Sequence, residues 1–203
     1  MKLKTKFIYL ISPNKIYNNF YSDLEAVFKT NKVKFFQIRL KKYSKNKIIF
    51  FSKKIRKICR SYDVKLIIND DPEVARIVRA DGCHLGQKDM NIKDARKILK
   101  KKIIGITCNN SLTKAKEALK QKADYIALGA FYATKTKKTK YKATIKDLKK
   151  FKKLLNKPVV AIGGINQYNY RKLLLNKADF LAISSFVWKN KKLKPIDAIN
   201  KIK

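Results

Sequence analysis

Two aspartates stand where a chain of this kind can do chemistry. Asp70 ends the run LIIND and Asp89 ends GCHLGQKD, nineteen residues on, with a short helical stretch between two apolar runs. When successive strands lie parallel, their C-terminal ends open onto one face, so both carboxylates can come within reach of one cation. A hard, oxygen-liganded ion such as Mg²⁺ suits that arrangement, held by one or two carboxylates together with substrate phosphates. The same position also serves a plainer purpose, capping the next helix. Asp71 fits that second role, because Pro72 is suited to the first helical position.

Further polar residues end other apolar runs. In QIRLK, alternation along one strand would project Gln37, Arg39 and Lys41 to the same side. Arg39 and Lys41 in a dry core would cost several kcal/mol, roughly, so they call for a bound anion or for an acid such as Asp70 as an ion-pair partner. The loop Thr134-Lys135-Thr136-Lys137 follows YIALGA and reads either as a solvated basic loop or as an anion clamp, with Lys137 supplying charge and the threonines hydroxyl donors. Gly163-Gly164 and Ser184-Ser185 end the last two apolar runs, where barrel enzymes often hold a phosphate. A tight turn would equally account for the glycines. Asn69 and Thr107 also stand at strand ends, whereas the single histidine, His84, lies within a strand and reads as a satisfied core or rim residue. Two phosphate-friendly places and one metal pair suggest a substrate with a diphosphate and another with a monophosphate.

The elements that must position these residues follow from periodicity. Short runs rich in β-branched and aromatic residues predict strands over 7–11, 35–40, 65–69, 82–85, 103–107, 125–129, 159–162 and 180–184. Segments with apolar spacing near 3.6 predict helices over 18–29, 45–61, 72–79, 92–100, 112–121, 145–155, 168–176 and 196–202. Ser111 caps the fifth helix, Thr144 the sixth with Asp147 three residues on, and Pro195 opens the last. Strict alternation implies an all-parallel sheet, and eight units favour closure into a single-domain (β/α)8 barrel. An open doubly wound sheet is the alternative, but no G-x-G-x-x-G follows the first strand.

At 203 residues the chain is short for such a barrel, and no Gly/Ser-rich or Pro-rich linker divides it. Its formal net charge of +37 would attract any polyanion. The excess is spread along the polar faces of helices, as at Lys53, Lys54, Lys57, Lys149, Lys150, Lys152 and Lys153, rather than gathered as a nucleic-acid reader requires. Cys59, Cys83 and Cys108 form no CxxC pair and read as buried thiols of a reducing compartment. The apolar run near the N-terminus stops at Ser12, too short for a signal peptide, and no stretch approaches the length of a membrane span. A cytoplasmic protein acting on small molecules, without specific nucleic-acid or membrane partners, is the expectation.

In order along the chain, FIYLIS, QIRLK, IIND, ADGCHLGQKD, IIGIT, ADYIALGAFYATKTK, VVAIGGIN and ADFLAISS resemble the thiamine-phosphate synthase family. That resemblance implies a TIM barrel that joins hydroxymethylpyrimidine diphosphate to thiazole phosphate, releasing diphosphate with Mg²⁺. By the same likeness Gln37, Arg39, Lys41, Asn69 and Lys137 hold the pyrimidine diphosphate, and Asp70 and Asp89 the magnesium. Thr134, Thr136, Gly164, Ser184 and Ser185 hold the thiazole phosphate. Arg39, Lys41 and Lys137 would stabilise the departing diphosphate as the pyrimidine C–O bond ionises. The family usually has serine where Thr107 stands in the pyrimidine pocket, and a proline near Ala130. A sister barrel that only isomerises the thiazole phosphate is the nearest rival, and it has no use for a diphosphate and metal site. A basic nucleic-acid-binding module is the more distant one.

Overall fold

The structure is a computed structural model and describes residues 7–134 and 140–203. Eight parallel strands close into a barrel in chain order, β8 pairing with β1. They are β1 (Ile8–Ile11), β2 (Val33–Ile38), β3 (Lys65–Asn69), β4 (Gly82–Leu85), β5 (Ile103–Asn109), β6 (Tyr125–Gly129), β7 (Val159–Ile162) and β8 (Phe180–Ile183). Between them run α1 (Phe20–Lys29), α2 (Lys45–Ser61), α3 (Pro72–Ile77), α4 (Ile92–Leu99), α5 (Leu112–Lys120), α6 (Ile145–Leu154) and α7 (Tyr170–Leu175). After β8 come α8 (Ser185–Trp188) and α9 (Pro195–Asn200).

Strands buried on both faces explain why the apolar runs are continuous rather than alternating. Ile8, Leu10, Phe36, Ile38, Leu66 and Ile68 point outward into the layer shared with the helices. Tyr9, Ile11, Ile67, Tyr125, Ala127, Val160 and Ala182 point into the barrel, with Phe35 and Phe180 packed against them. The helices bury one stripe each, as α2 does through Ser52, Ile55, Ile58 and Cys59, while Lys53, Lys54 and Lys57 stay in solvent. All three cysteines are buried and free.

The expected caps are present. Asp71 accepts from the Val74 N–H at 2.9 Å ahead of Pro72, Ser111 caps α5, and Thr144 with Asp147 forms a reciprocal capping box. Two expectations need correction. β2 runs from Val33 and ends at Ile38, so strand alternation reaches Gln37 but not Arg39 or Lys41, which lie in the following loop. The short α8 was not expected, because its four residues are too few to show a helical period.

At the N-terminal end of the barrel a thrice-repeated Ala-Asp pair ties strands together. Asp81 accepts from the Leu66 N–H, Asp124 from Ile104 and Asp179 from Val159, each at 2.8 Å. Each carboxylate thus satisfies a backbone donor at the start of the neighbouring strand. Each also meets a cation: Lys65 at 3.9 Å, Arg96 at 2.7 Å and Lys152 at 2.6 Å, respectively. Conservation at that end of a barrel would concern stability, and the opposite end is left for chemistry.

Candidate active site

At the C-terminal end of β3 the register pairs Asn69 with His84 of β4. One residue on, Asp70 turns into the left-handed region (φ 66°) while its N–H donates to the His84 carbonyl at 2.8 Å. On the β4 side the chain folds back after Gly86, whose N–H donates to an Asp89 carboxylate oxygen at 2.6 Å. These two turns bring the Asp70 and Asp89 carboxyls into hydrogen-bond contact.

Such a pair cannot easily hold two negative charges. Burial and the hydrogen bond and charge of Asp70 raise the Asp89 carboxyl above the usual range, against the Gly86 N–H and Lys41. Burial acts on Asp70 too, but the hydrogen bond with Asp89, Lys41 at 3.0 Å and the charge of Arg39 outweigh it and hold Asp70 low. Asp89 is therefore the member of the pair that takes up a proton first as pH falls. Two convergent carboxyl groups with an exposed edge fit a hard dication that takes its remaining ligands from phosphate and water. Among the described residues no cluster of three or more His, Cys, Asp or Glu could hold a metal unaided.

Around this pair, Gln37 is buried and donates from Nε2 to Asn69 Oδ1 at 3.1 Å. Lys41 takes the ion-pair role with Asp70. Arg39 has no carboxylate within ion-pair distance among the described residues, and its half-buried guanidinium is lowered by burial, with Asp70 acting against that shift. Its backbone N–H is fixed by Ser12 Oγ at 2.9 Å.

Below the mouth lies a buried polar chain that periodicity alone does not reveal. Tyr9 Oη and Tyr125 Oη are 2.8 Å apart, Tyr125 Oη and His84 Nδ1 2.8 Å, and His84 Nε2 and Thr107 Oγ1 2.8 Å. Gly105 permits it, since a Cβ there would stand 1.8 Å from the Tyr125 ring. Burial pushes both tyrosine hydroxyls well up, so both stay protonated. Tyr125 is the only hydrogen-bond partner of the Tyr9 hydroxyl among the described residues. A buried O–H without an acceptor costs about 1–3 kcal/mol, so Tyr9 donates to Tyr125. Tyr125 must then donate to His84 Nδ1, and His84 carries its proton on Nε2 and donates to Thr107. The Thr107 hydroxyl proton is left pointing away from this chain. His84 is thus a satisfied residue, as its place within a strand suggested.

On the other side of the mouth, the loop after β6 packs on the loop after β7. The Phe131 N–H donates to the Ile162 carbonyl and the Tyr132 N–H to the Gly163 carbonyl, both at 3.1 Å. Gly164 has φ 63°, and a Cβ on it would meet the Ala133 carbonyl oxygen at 2.3 Å, so only glycine fits. Thr134 ends this described segment, and Thr136 and Lys137 lie outside the described residues. Beyond the Ile162–Ala182 pair of β7 and β8, Gly163-Gly164 begins one residue on and Ser184-Ser185 two residues on. Ser184 donates to the Ser12 carbonyl at 3.2 Å, and Ser185 opens α8. A short extra helix after the eighth strand is a recurrent part of barrel phosphate sites.

The chain is similar to known proteins over most of its length. The thiamine monophosphate synthase family model matches residues 8–187. A thiamine-phosphate synthase of Pelagibacter ubique is 58% identical over 203 residues, covering 100% of this chain and 98% of that protein. One from Erythrobacter litoralis is 38% identical over 186 residues, covering 89% and 87%. Among solved structures, thiamine phosphate pyrophosphorylase from Pyrococcus furiosus superposes with a TM-score of 0.85 at 31% identity, covering 98% of this chain and 93% of that one. A closed parallel barrel, two polar rims at one end of it and a match over most of its length lead to one conclusion: the chain belongs to the thiamine monophosphate synthase family.

Proposed function

We propose that residues 1–203 act as one catalytic domain that condenses hydroxymethylpyrimidine diphosphate with thiazole phosphate, giving thiamine phosphate and diphosphate. The observation that carries this reading is the carboxyl pair Asp70–Asp89 with Lys41 and Arg39 beside it, at the barrel end that also carries Gly163-Gly164 and Ser184-Ser185. A barrel that merely isomerises the thiazole phosphate would have no use for that carboxyl pair.

Asp70 and Asp89 would hold Mg²⁺, which when bound supplies positive charge to the leaving diphosphate. Arg39 offers a guanidinium not committed to an acid, suited to two phosphate oxygens at once. Lys41, held at its ammonium by Asp70, and Lys137 add charge where it develops as the C–O bond of the pyrimidine ionises. Gln37 and Asn69, already bonded to each other, present amide groups to the pyrimidine and its diphosphate. Thr107, its oxygen occupied by His84, is left to donate its proton to an acceptor nitrogen of the pyrimidine ring. Gly163, Gly164, Thr134, Thr136, Ser184 and Ser185 would cradle the thiazole phosphate, whose ring nitrogen then captures the pyrimidine cation. That bond-forming step needs no general base.

No helix among the described residues is long and apolar enough to cross a membrane, and the reading is of a cytoplasmic enzyme with small-molecule partners. Incubation with both precursors and Mg²⁺ tests it. Thiamine phosphate and diphosphate should appear in equal amounts, and isomerised thiazole phosphate without diphosphate release would replace this reading with the isomerase.

A further inference from the structure

The chain carries seven arginines against forty-four lysines. Four of the seven line one groove: Arg56 and Arg60 of α2, Arg76 of α3, and Arg79 just beyond it. Lys100, Lys101 and Lys102 close its far side, and Ala75, Ile98 and Leu99 form an apolar floor. Its volume is about 890 Å³, within the range of small-molecule sites, and none of its lining residues is acidic. With arginines drawn evenly from the chain's cations, its seven cationic positions would hold about one.

Guanidinium and ammonium are not equivalent groups. An even coat of solvating charge is served as well by lysine, whereas a planar fork is suited to binding two oxygens of one phosphate. The groove keeps that capacity available. Arg76 is occupied by Glu73 at 3.1 Å, and Arg56 Nε donates to the Arg79 carbonyl at 2.8 Å. The guanidiniums of Arg60 and Arg79 form no hydrogen bond or ion pair with another described residue. Burial, and then the like charges of Arg60 and Arg79, lower Arg56 against the opposing charge of Asp81, so these cations repel one another where they stand. The groove opens beside Ala80 and Lys102, just ahead of β4 and β5, at the barrel end opposite Asp70 and Asp89.

We propose that this groove binds a phosphorylated small molecule of nucleotide size, with its phosphate chain on Arg60 and Arg79 and its flat, less polar part over Ile98 and Leu99. A nucleic-acid strand is the poorer fit. It would need a long track with aromatic platforms for successive bases, and no aromatic side chain lines this groove. The site is separate from the one assigned to condensation and does not depend on that assignment.

The test is calorimetric titration of the whole protein with ATP, and separately with inorganic triphosphate, at physiological salt, where loose attraction to the +37 surface is screened. Three double variants are compared: Arg60→Gln/Arg79→Gln, Arg60→Lys/Arg79→Lys, and Lys116→Gln/Lys120→Gln on α5, which removes the same charge elsewhere. We expect one saturable ATP site, weakened at least about tenfold by the glutamine pair at the arginines and measurably by the lysine pair, with the α5 control within about twofold. Condensation turnover without ATP should be unchanged in the Arg60/Arg79 variants. Tighter binding of ATP than of triphosphate supports the role of Ile98 and Leu99, and equal binding overturns that part. Absence of a saturable site, insensitivity to the Arg60/Arg79 pairs, or an equal loss in the α5 control overturns the proposal. Preferential binding of a short single-stranded RNA over ATP does so in favour of nucleic acid.

Discussion

Replacing Tyr125 with phenylalanine removes one hydroxyl from the middle of the buried chain and leaves its ring in place against His84, to which it is stacked at 5.6 Å. The Tyr9 O–H loses its hydrogen-bond partner, and His84 loses the bond that Tyr125 made to its Nδ1. The stranded Tyr9 O–H costs about 1–3 kcal/mol and the lost bond to His84 about 0.5–1.5 kcal/mol more, so Tyr125→Phe should destabilise by roughly 1.5–4.5 kcal/mol. Tyr9→Phe alone loses one hydrogen bond and strands no donor, for about 0.5–1.5 kcal/mol. The directional argument then makes a prediction of sign. Adding Tyr9→Phe to Tyr125→Phe removes one orphan, so the double variant should be more stable than Tyr125→Phe by about 1–3 kcal/mol. Urea unfolding of the four proteins at matched m-values reads this directly. A double variant less stable than Tyr125→Phe would mean that the Tyr9 hydroxyl has another acceptor, and the assigned proton on His84 Nε2 would fall with it.

Thr107→Ser keeps the hydroxyl and should leave kcat/KM within about threefold, whereas Thr107→Val removes both the oxygen that His84 Nε2 bonds and the donor offered to the pyrimidine, costing about a hundredfold or more. Arg96 donates to the Lys100, Lys102 and Lys122 carbonyls and to Asp124, so Arg96→Ala should lower stability by about 2–4 kcal/mol while KM for either substrate stays unchanged. A KM change without a stability loss would contradict that structural role. Protons compete with a dication for the carboxyl pair, and the Asp89 pKa is raised, so apparent Mg²⁺ affinity should weaken as pH falls toward that raised value. Turnover at limiting Mg²⁺ across pH measures it, and affinity that improves as pH falls would reverse the assignment.

Much of this architecture is legible in the chain because the signals are local. Strands buried on both faces leave continuous apolar runs such as LII and YIAL, and Asp71 before Pro72 marks the start of α3 unaided. Asp70 and Asp89 can be paired from sequence because parallel topology alone puts the ends of β3 and β4 side by side. What escapes is set by geometry across the barrel. Tyr9 and Tyr125 read as ordinary core aromatics until the absence of a Cβ at Gly105 lets one ring cross toward the other. The end of β2 at Ile38 is invisible because IRLK is as strand-like as what precedes it. The Ala-Asp pairs do carry a sequence signal, three repeats just before β4, β6 and β8, which spacing analysis of helices and strands passes over. Arginine scarcity is likewise written in the composition, but only folding gathers Arg56, Arg60, Arg76 and Arg79 into one groove.

The claim on which the rest turns is that Asp70 and Asp89 together grip a divalent ion shared with the diphosphate. Mn²⁺ binding followed by electron paramagnetic resonance, with and without the pyrimidine diphosphate, tests it apart from turnover. One tight Mn²⁺ should bind only when the diphosphate is present, and both Asp70→Asn and Asp89→Asn should weaken it by at least about tenfold. Mn²⁺ bound as tightly in both variants as in the unaltered protein would place the metal elsewhere.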